Sequence, residues 1–345
     1  MKNKFVVGFL IAASVIGSSV IFYAYQILFT PNLRLDKTEK WLYIPQGADY
    51  KQVVDSLKQG DFLNDELSFS FLAKLTGYQD KVIPGAYLVA PNTTNKDLIW
   101  RLKAGRQSSI KLTFNNLRLK SDLVNRLSGK LNIAPEAFYG YLNNPDSCRM
   151  LGFDTLTVTA MFIPNTYDFY WNTPIHKFMR RMQTEYNSFW SAKGREDKAK
   201  ALGLTKIQVH VLASITEAET KKADEMPIVA KVYKNRLDQD MLLQADPTVI
   251  YALKDFTIKR VYTGTINKAG MNPFNTYKVK GLPPAPINLP SITAIDAVLN
   301  MADHKYIYFC ANASLNGYHS FAVTYDEHMA NVAKYTKALD TMGIK

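Results

Sequence analysis

Glu217 and Glu219 stand close together in the segment IQVHVLASITEAET, and their spacing decides which of them could serve as a proton donor. On a helix turning about 100° per residue, Ile207, Val211, Leu212, Ile215 and Ala218 share one arc of about 140°, and Glu219 falls inside it. Glu217 points about 160° away from Glu219, so the two carboxylates do not work as a facing pair. A carboxyl group set among apolar side chains keeps its proton to higher pH, as a general acid working near neutrality must. The competing structural reading makes Glu219 a rim residue paired with Lys222 or Lys231.

Asp246 opens DPTVIYAL, where Asp at the N-cap and Pro247 at the first helical position form a helix-start signal that explains both residues without catalysis. Thr324 and Glu327 fit a capping box ahead of the last helix, and His319 fits either a cleft or a core position. The loop NPFNTYKVKGLPPAPINLP carries Asn275, Thr276 and Tyr277 beside a stiff run from Pro283 to Pro290. Restricted backbone can hold amides, hydroxyls and aromatic faces in place, the lining that a sugar needs, although an ordinary proline-packed loop reads the same way.

His176, His210, His304, His319 and His328 form no H-E-x-x-H or Cys/His zinc pattern, so no metal site is expected. No G-x-S-x-G, G-x-x-x-x-G-K or G-x-G-x-x-G run occurs, and no cofactor is expected. Cys148 and Cys310 are too few for a disulfide framework. The chain has 345 residues, 47% hydrophobic and 21% charged, with a net charge of +12. That composition implies a folded protein of two or three modules, drawn to anionic surroundings such as lipid head groups, wall polymers or nucleic acid.

The elements that would position these groups follow from pattern. Lys2 and Lys4 precede an almost uncharged run from Phe5 to Phe29 that ends at Pro31, long enough as a helix to cross the ~30 Å hydrocarbon core. An uncleaved anchor over residues 1–30 is expected, the alternative being a signal peptide. Arg34, Lys37 and Lys40 follow the span, so charge sets its orientation only weakly. A strand from Trp41, two short helices with Val53, Val54 and Leu57 inward, a strand through Tyr87 to Val89 and a helix carrying Leu98, Ile99 and Leu102 make a small α+β module over residues 40–105. Residues 106–204 read as a helical connecting region with a long helix around Ile175 to Trp190. Residues 205–345 read as a core with a helix through Ala223, a second from Ile228 to Leu237, two strands around Asn316-Gly317 and a closing helix from Tyr325 to about Leu339. The fold class is α+β, with no βαβ rhythm.

Taken in order, LASITEAET, MPIVAKVYKNRLDQDMLLQADPTVIYAL, FNTYKVKGLPPAPINLPS and GYHSFAVTYDEH closely resemble the motifs of the endolytic murein transglycosylase family, the MltG or YceG-like proteins. The resemblance is tight from Val209 to His328 and looser back to Trp41, where PQGADYKQVVDSLKQGDFL and PGAYLVAPNTTNKDLIWRLKAG look like that family's LysM-like module. It departs at GLPPAPINLPS, which lacks family glycines, and around Thr113 to Leu119, which lacks a P-E-G. The resemblance implies that Glu219, the second Glu of the E-x-E-T segment, is the catalytic acid and base. It also implies that Asn235, Arg236, Gln244, Asp246, Tyr251, Asn275, Tyr277 and His319 line the substrate cleft.

By the same resemblance, the substrate is the peptidoglycan glycan strand, cut between N-acetylmuramic acid and N-acetylglucosamine to leave 1,6-anhydro ends. The other expected partners are the cytoplasmic membrane, through the N-terminal helix, and wall-synthesis proteins, with no nucleic acid. The catalytic domain would lie outside the cytoplasmic membrane. Two alternatives stay open: a hydrolytic muramidase with Asp246 as second carboxylate, and a non-catalytic wall-binding protein. If residues 5–29 are an uncleaved anchor, the full chain stays with membranes through high-salt and carbonate washes, whereas a protein beginning near Asn32 is soluble and folded. Release by either wash, or a mature N-terminus beyond residue 20, would remove the anchor.

Overall fold

The computed structural model describes residues 2–33, 38–115 and 117–342, and is a mixture of helices and small two-stranded antiparallel or paired ribbons. Arg34 and Lys37, which flank the apolar run, lie outside the described residues. The chain forms two compact units, one of Met1–Leu112, Lys130–Ile133 and Asp168–Pro174, the other of Thr113–Gly129, Ala134–Tyr167 and Ile175–Lys345. Residues 106–204 are therefore shared between the two units.

In the first unit, α1 (Lys2–Phe29) leads to β1 (Lys40–Ile44), α2 (Tyr50–Gln59), α3 (Glu66–Leu75), β2 (Gly85–Val89) and α4 (Asn95–Lys103). β1 and β2 pair antiparallel, with Trp41 opposite Leu88 and Tyr43 opposite Ala86. Asp49 starts α2 with a full capping box to Gln52, which satisfies two backbone donors that a helix start leaves open. Val53, Val54 and Leu57 of α2, with Leu98, Ile99 and Leu102 of α4, enter one core with Leu42, Ile44 and Tyr87. The helical periodicity of the sequence is thus realised as packing.

Most of α1 exposes apolar side chains, among them Phe9, Ile16 and Phe22, and Ile27 and Leu28 near its end reach the core. Its length and composition suffice to cross a membrane. A buried polar knot fixes that end. Asn32 Nδ2 donates to Asn95 Oδ1 at 2.8 Å and to the Asp65 carbonyl at 2.7 Å, while Asn95 Nδ2 donates to Ser68 Oγ at 2.9 Å.

β3 (Ser109–Thr113) pairs with β4 (Thr166–Tyr170). Between them run α5 (Lys120–Ser128), α6 (Pro135–Asn143) and α7 (Pro145–Met150). Then come α8 (Ile175–Ser191), α9 (Arg195–Ala201), α10 (Lys206–Glu219), α11 (Met226–Asp238), α12 (Asp246–Leu253), α13 (Thr263–Ala269) and α14 (Ile292–Leu299). β5 (Tyr308–Ala311), β6 (His319–Ala322) and α15 (Tyr325–Thr341) end the described chain, with the expected Thr324–Glu327 capping box at the start of α15.

The centre of the second unit is α10, buried continuously from Val209 to Glu217 and packed against α11, α12 and α14. This differs from the single apolar stripe expected of it, because neighbours cover more than one face. The helix also stops at Glu219 and does not run on to Ala223. Thr220 is extended, and its hydroxyl accepts the Lys222 amide at 3.1 Å, a local alternative to another helical turn. Beside it, Arg195 grips both Asp296 oxygens at 2.8 and 3.0 Å and lies over the Phe189 ring, fastening α9 to α14.

The polar knot at Asn32 and Asn95 yields a test of the first unit. Asn95→Ala removes one hydrogen-bond partner each from Asn32 and Ser68 in a dry setting, while their bonds to Asp65 remain, at a cost of about 1–3 kcal/mol. Hydrogen exchange on the full chain should then accelerate in α3 and α4, and unchanged protection there would show the knot to be dispensable.

Candidate active site

Glu219 is the last residue of α10, and it is half-buried there. Its partner is neither Lys222 nor Lys231. Tyr233, in the middle of α11, donates its hydroxyl to Glu219 Oε1 at 2.7 Å. Tyr233 is itself almost fully buried and stands edge-on to Phe309. Burial lifts the Glu219 pKa to about 7; the Tyr233 hydrogen bond opposes that rise, the negative charge of Asp246 adds to it, and Arg236 opposes it. Desolvation therefore outweighs the phenol.

Asp246 is the first residue of α12 and not its N-cap, a correction to the sequence reading. Ala245 caps the helix, and no side-chain cap bond forms. The Asp246 carboxylate instead accepts the Tyr277 hydroxyl at 2.6 Å, and burial raises its pKa against that bond. The site thus holds two carboxylates, each bound to a phenol and coupled electrostatically.

The loop before the proline run is built to place Tyr277. Thr276 is bonded to the start of α12 three ways: its hydroxyl meets Thr248 Oγ1 at 2.8 Å, it accepts the Ala245 amide at 3.0 Å, and its carbonyl accepts the Gln244 amide at 3.1 Å. Asn275 is fully buried; its amide donates to the Gly270 and Ile266 carbonyls and its Oδ1 accepts the Tyr277 amide at 3.1 Å. Asn275 therefore shapes the loop from within and presents no free polar atom to a cleft.

The remaining sequence-derived residues separate in the same way. Asn235 donates to the His304 and Tyr306 carbonyls, and Arg236, 8% exposed, donates to the Ile307 carbonyl at 2.6 Å and the Leu243 carbonyl at 2.7 Å. These bonds tie α11 to the segment entering β5, with the Arg236 charge still felt at Glu219. Gln244 is exposed at a positive φ of 54°, and Tyr251 packs its ring against Phe274 at 4.7 Å. His319 is held by Glu225, which accepts its backbone amide at 2.7 Å and its Nδ1 at 2.9 Å.

Glu217 is buried, where the helical projection turned it away from the apolar face. Its Oε2 accepts the Ser291 amide at 3.1 Å, and Ser214 of the same helix accepts the Ile287 amide at 3.0 Å through its hydroxyl and the Asn288 side chain at 2.9 Å through its carbonyl. Together they lace the proline run along α10. Sequence reasoning passed over Tyr233 and Glu225. The signal available for Tyr233 was a phenol on the apolar face of a helix, three residues before Arg236, since a buried phenol hydroxyl needs a partner.

The raised Glu219 pKa carries a stability consequence. Well below 4.5 the carboxyl is neutral in folded and unfolded chains alike, and between 4.5 and about 7 the unfolded chain ionises while the folded one resists. Folding is therefore disfavoured increasingly over that window. Glu219→Gln should match the parent near pH 4 and exceed its stability by about 2 kcal/mol near pH 8, allowing for partial exposure. Urea denaturation at the two pH values measures this, and an equal difference at both would refute the raised pKa.

Comparison with known proteins agrees with this architecture. Proteins called endolytic murein transglycosylase from two Streptococcus pneumoniae strains are 25% identical over 367 residues, which cover 97% of this chain and 66% of theirs. The chain thus spans just under two thirds of the length of those relatives. One of the same name from Bacillus subtilis is 26% identical over 330 residues, covering 89% of this chain and 88% of that one. A crystal structure of a yceG-like protein from Listeria monocytogenes superposes with a TM-score of 0.55 at 22% identity, over 86% of this chain and 99% of that chain, and shares the fold. The model of the YceG-like family matches residues 42–334, spanning the described strands and helices from β1 into α15, and the chain belongs to that family.

Proposed function

We propose that this protein is an endolytic murein transglycosylase that cuts peptidoglycan glycan strands internally, between N-acetylmuramic acid and N-acetylglucosamine. The observation that carries the reading is Glu219, whose carboxyl group is hydrogen-bonded to Tyr233 and poised with a pKa of about 7. A group so poised can both give and take a proton near neutrality. The names of the pneumococcal and B. subtilis relatives support the same reaction.

In the proposed reaction, neutral Glu219 gives its proton to the glycosidic oxygen as the bond to C1 of the muramic sugar breaks. The carboxylate then takes the proton of the C6 hydroxyl as that oxygen bonds to C1. The ring closes as a 1,6-anhydro sugar, Glu219 returns to its neutral form, and no water is consumed. Tyr233 orients the carboxyl and stabilises it when charged, while the negative charge of Asp246 favours positive charge developing on the sugar. Arg236 and Asn275 hold the scaffold around these groups, and Gln244, Tyr251 and His319 remain candidate sugar contacts.

Asp246 also supports a second reading, a muramidase in which it directs water to C1. Mass spectrometry separates the two, because anhydro ends are lighter than reducing ends by one water. The exposed apolar side chains of α1 support a membrane anchor, and the murein substrate named by the relatives supports a catalytic unit outside the cytoplasmic membrane. The β1-α2-α3-β2 arrangement, with its strands paired, supports reading the first unit as LysM-like.

Glu219→Gln should lower cleavage by about 10²–10⁴-fold. Because the acid form is required first, the rate of the parent should fall as pH rises through about 7. Tyr233→Phe removes a bond that favours the carboxylate, so the alkaline limb should move to higher pH; Asp246→Asn removes a repelling charge, so it should move to lower pH. Initial cleavage rates across pH test this, and shifts in the same direction for both variants would contradict the roles assigned.

A further inference from the structure

We propose that a basic groove next to Glu219 and Asp246 receives the acidic peptide that muramic acid carries on its lactyl group, making the enzyme selective for peptide-bearing strands. This rests on the murein reading above. The groove consists of two cavities of about 390 and 630 Å³ that share Arg118 and Tyr251 in their walls. The smaller is lined by Ala218 and Pro247, the chain neighbours of Glu219 and Asp246.

Charge in the groove has one sign. Arg118 and Lys221 line the smaller cavity, Arg118, Lys120 and Lys254 the larger, and neither wall contains an Asp or Glu among the described residues. Three of these cations are held in place. The Arg118 guanidinium lies 4.8 Å over the Phe256 ring, Lys221 Nζ donates to the Glu217 carbonyl at 2.6 Å, and Lys120 Nζ donates to the Leu142 carbonyl at 3.0 Å and Asn143 Oδ1 at 2.7 Å. Like charges converging on a cavity repel one another, and an incoming carboxylate relieves that repulsion. A neutral sugar would not.

Cations for carboxylates, and the faces of Tyr251 and Phe274 for aliphatic side chains, describe an acidic peptide. Among the parts of a murein strand, only the stem on the muramic sugar has that chemistry, and it projects from the sugar that Glu219 must reach.

The test uses the full-length Glu219→Gln protein in detergent, so that binding is read without cleavage. Its ligands are fluorescent glycan oligosaccharides that carry their peptides, and the same strands after an amidase has stripped them. Peptide-bearing strands should bind about tenfold more tightly at low salt, with the advantage shrinking toward unity near 0.5 M salt. Adding Arg118→Gln or the exposed Lys254→Gln should each reduce the ratio of the two affinities several-fold. The second variant guards against misfolding of the first, since no described hydrogen bond depends on the Lys254 side chain. Equal affinity for the two strands, or variants that weaken both alike, would overturn the proposal, as would inorganic polyphosphate competing as well as the peptide. Cleavage by the parent protein is scored separately: preferential binding without cleavage would remove the transglycosylase reading and leave the groove.

Discussion

A helix covered on several faces leaves few places for a charged side chain, and α10 uses two of them. Along its buried length, Glu217 is tolerated because the Ser291 amide meets it; at its last residue, half-buried Glu219 is tolerated because the Tyr233 hydroxyl meets it. Glu219 is dry enough to hold its proton to about pH 7. In the proposed reaction, the same burial that disfavours the ionised form in the folded state would supply the acid, so stability and reactivity would pull against each other at this residue.

Around that helix end, each polar side chain in the loops has a specific mechanical task. Thr276 and Asn275 are hydrogen-bonded to backbone and to Thr248, and the result is the placement of the Tyr277 hydroxyl on Asp246. Ser214 and Glu217 hold the proline run against α10, with prolines limiting its backbone freedom in the unfolded chain as well. Arg236 satisfies carbonyls of two segments while its charge remains within electrostatic reach of Glu219. Preorganised dipoles and charges of this kind need no rearrangement when charge develops on a substrate.

The sequence made much of this legible. Periodicity located α2 and α4 with their inward residues and the extent of α8, the Thr-x-x-Glu signal located the start of α15, and alternation with turns located β1, β2, β5 and β6. Composition and the length of the apolar run made α1 visible. These features depend on interactions within one or two helical turns or between adjacent strands, which spacing encodes directly. Glu219 stood out for the same reason, as a carboxylate on an apolar arc.

What spacing does not encode is the identity of the neighbour. The helical wheel turned Glu217 away from the apolar arc, but α14 and the proline run cover that side, and its partner Ser291 lies 74 residues away. The Asp-Pro pair suggested an N-cap, yet the strongest claim on Asp246 is Tyr277, 31 residues on. Asn275 matched a cleft motif and proved to be internal, because its amide completes backbone carbonyls that no local pattern leaves visible as unpaired. Tyr233 went unnoticed until packing laid α11 against α10. The sequence by itself determined which segments become helices and strands and which carboxylate has an apolar setting. Only the tertiary structure decided which hydroxyl, amide or charge meets each carboxylate, and hence its pKa, because those partners are selected by the packing of distant segments.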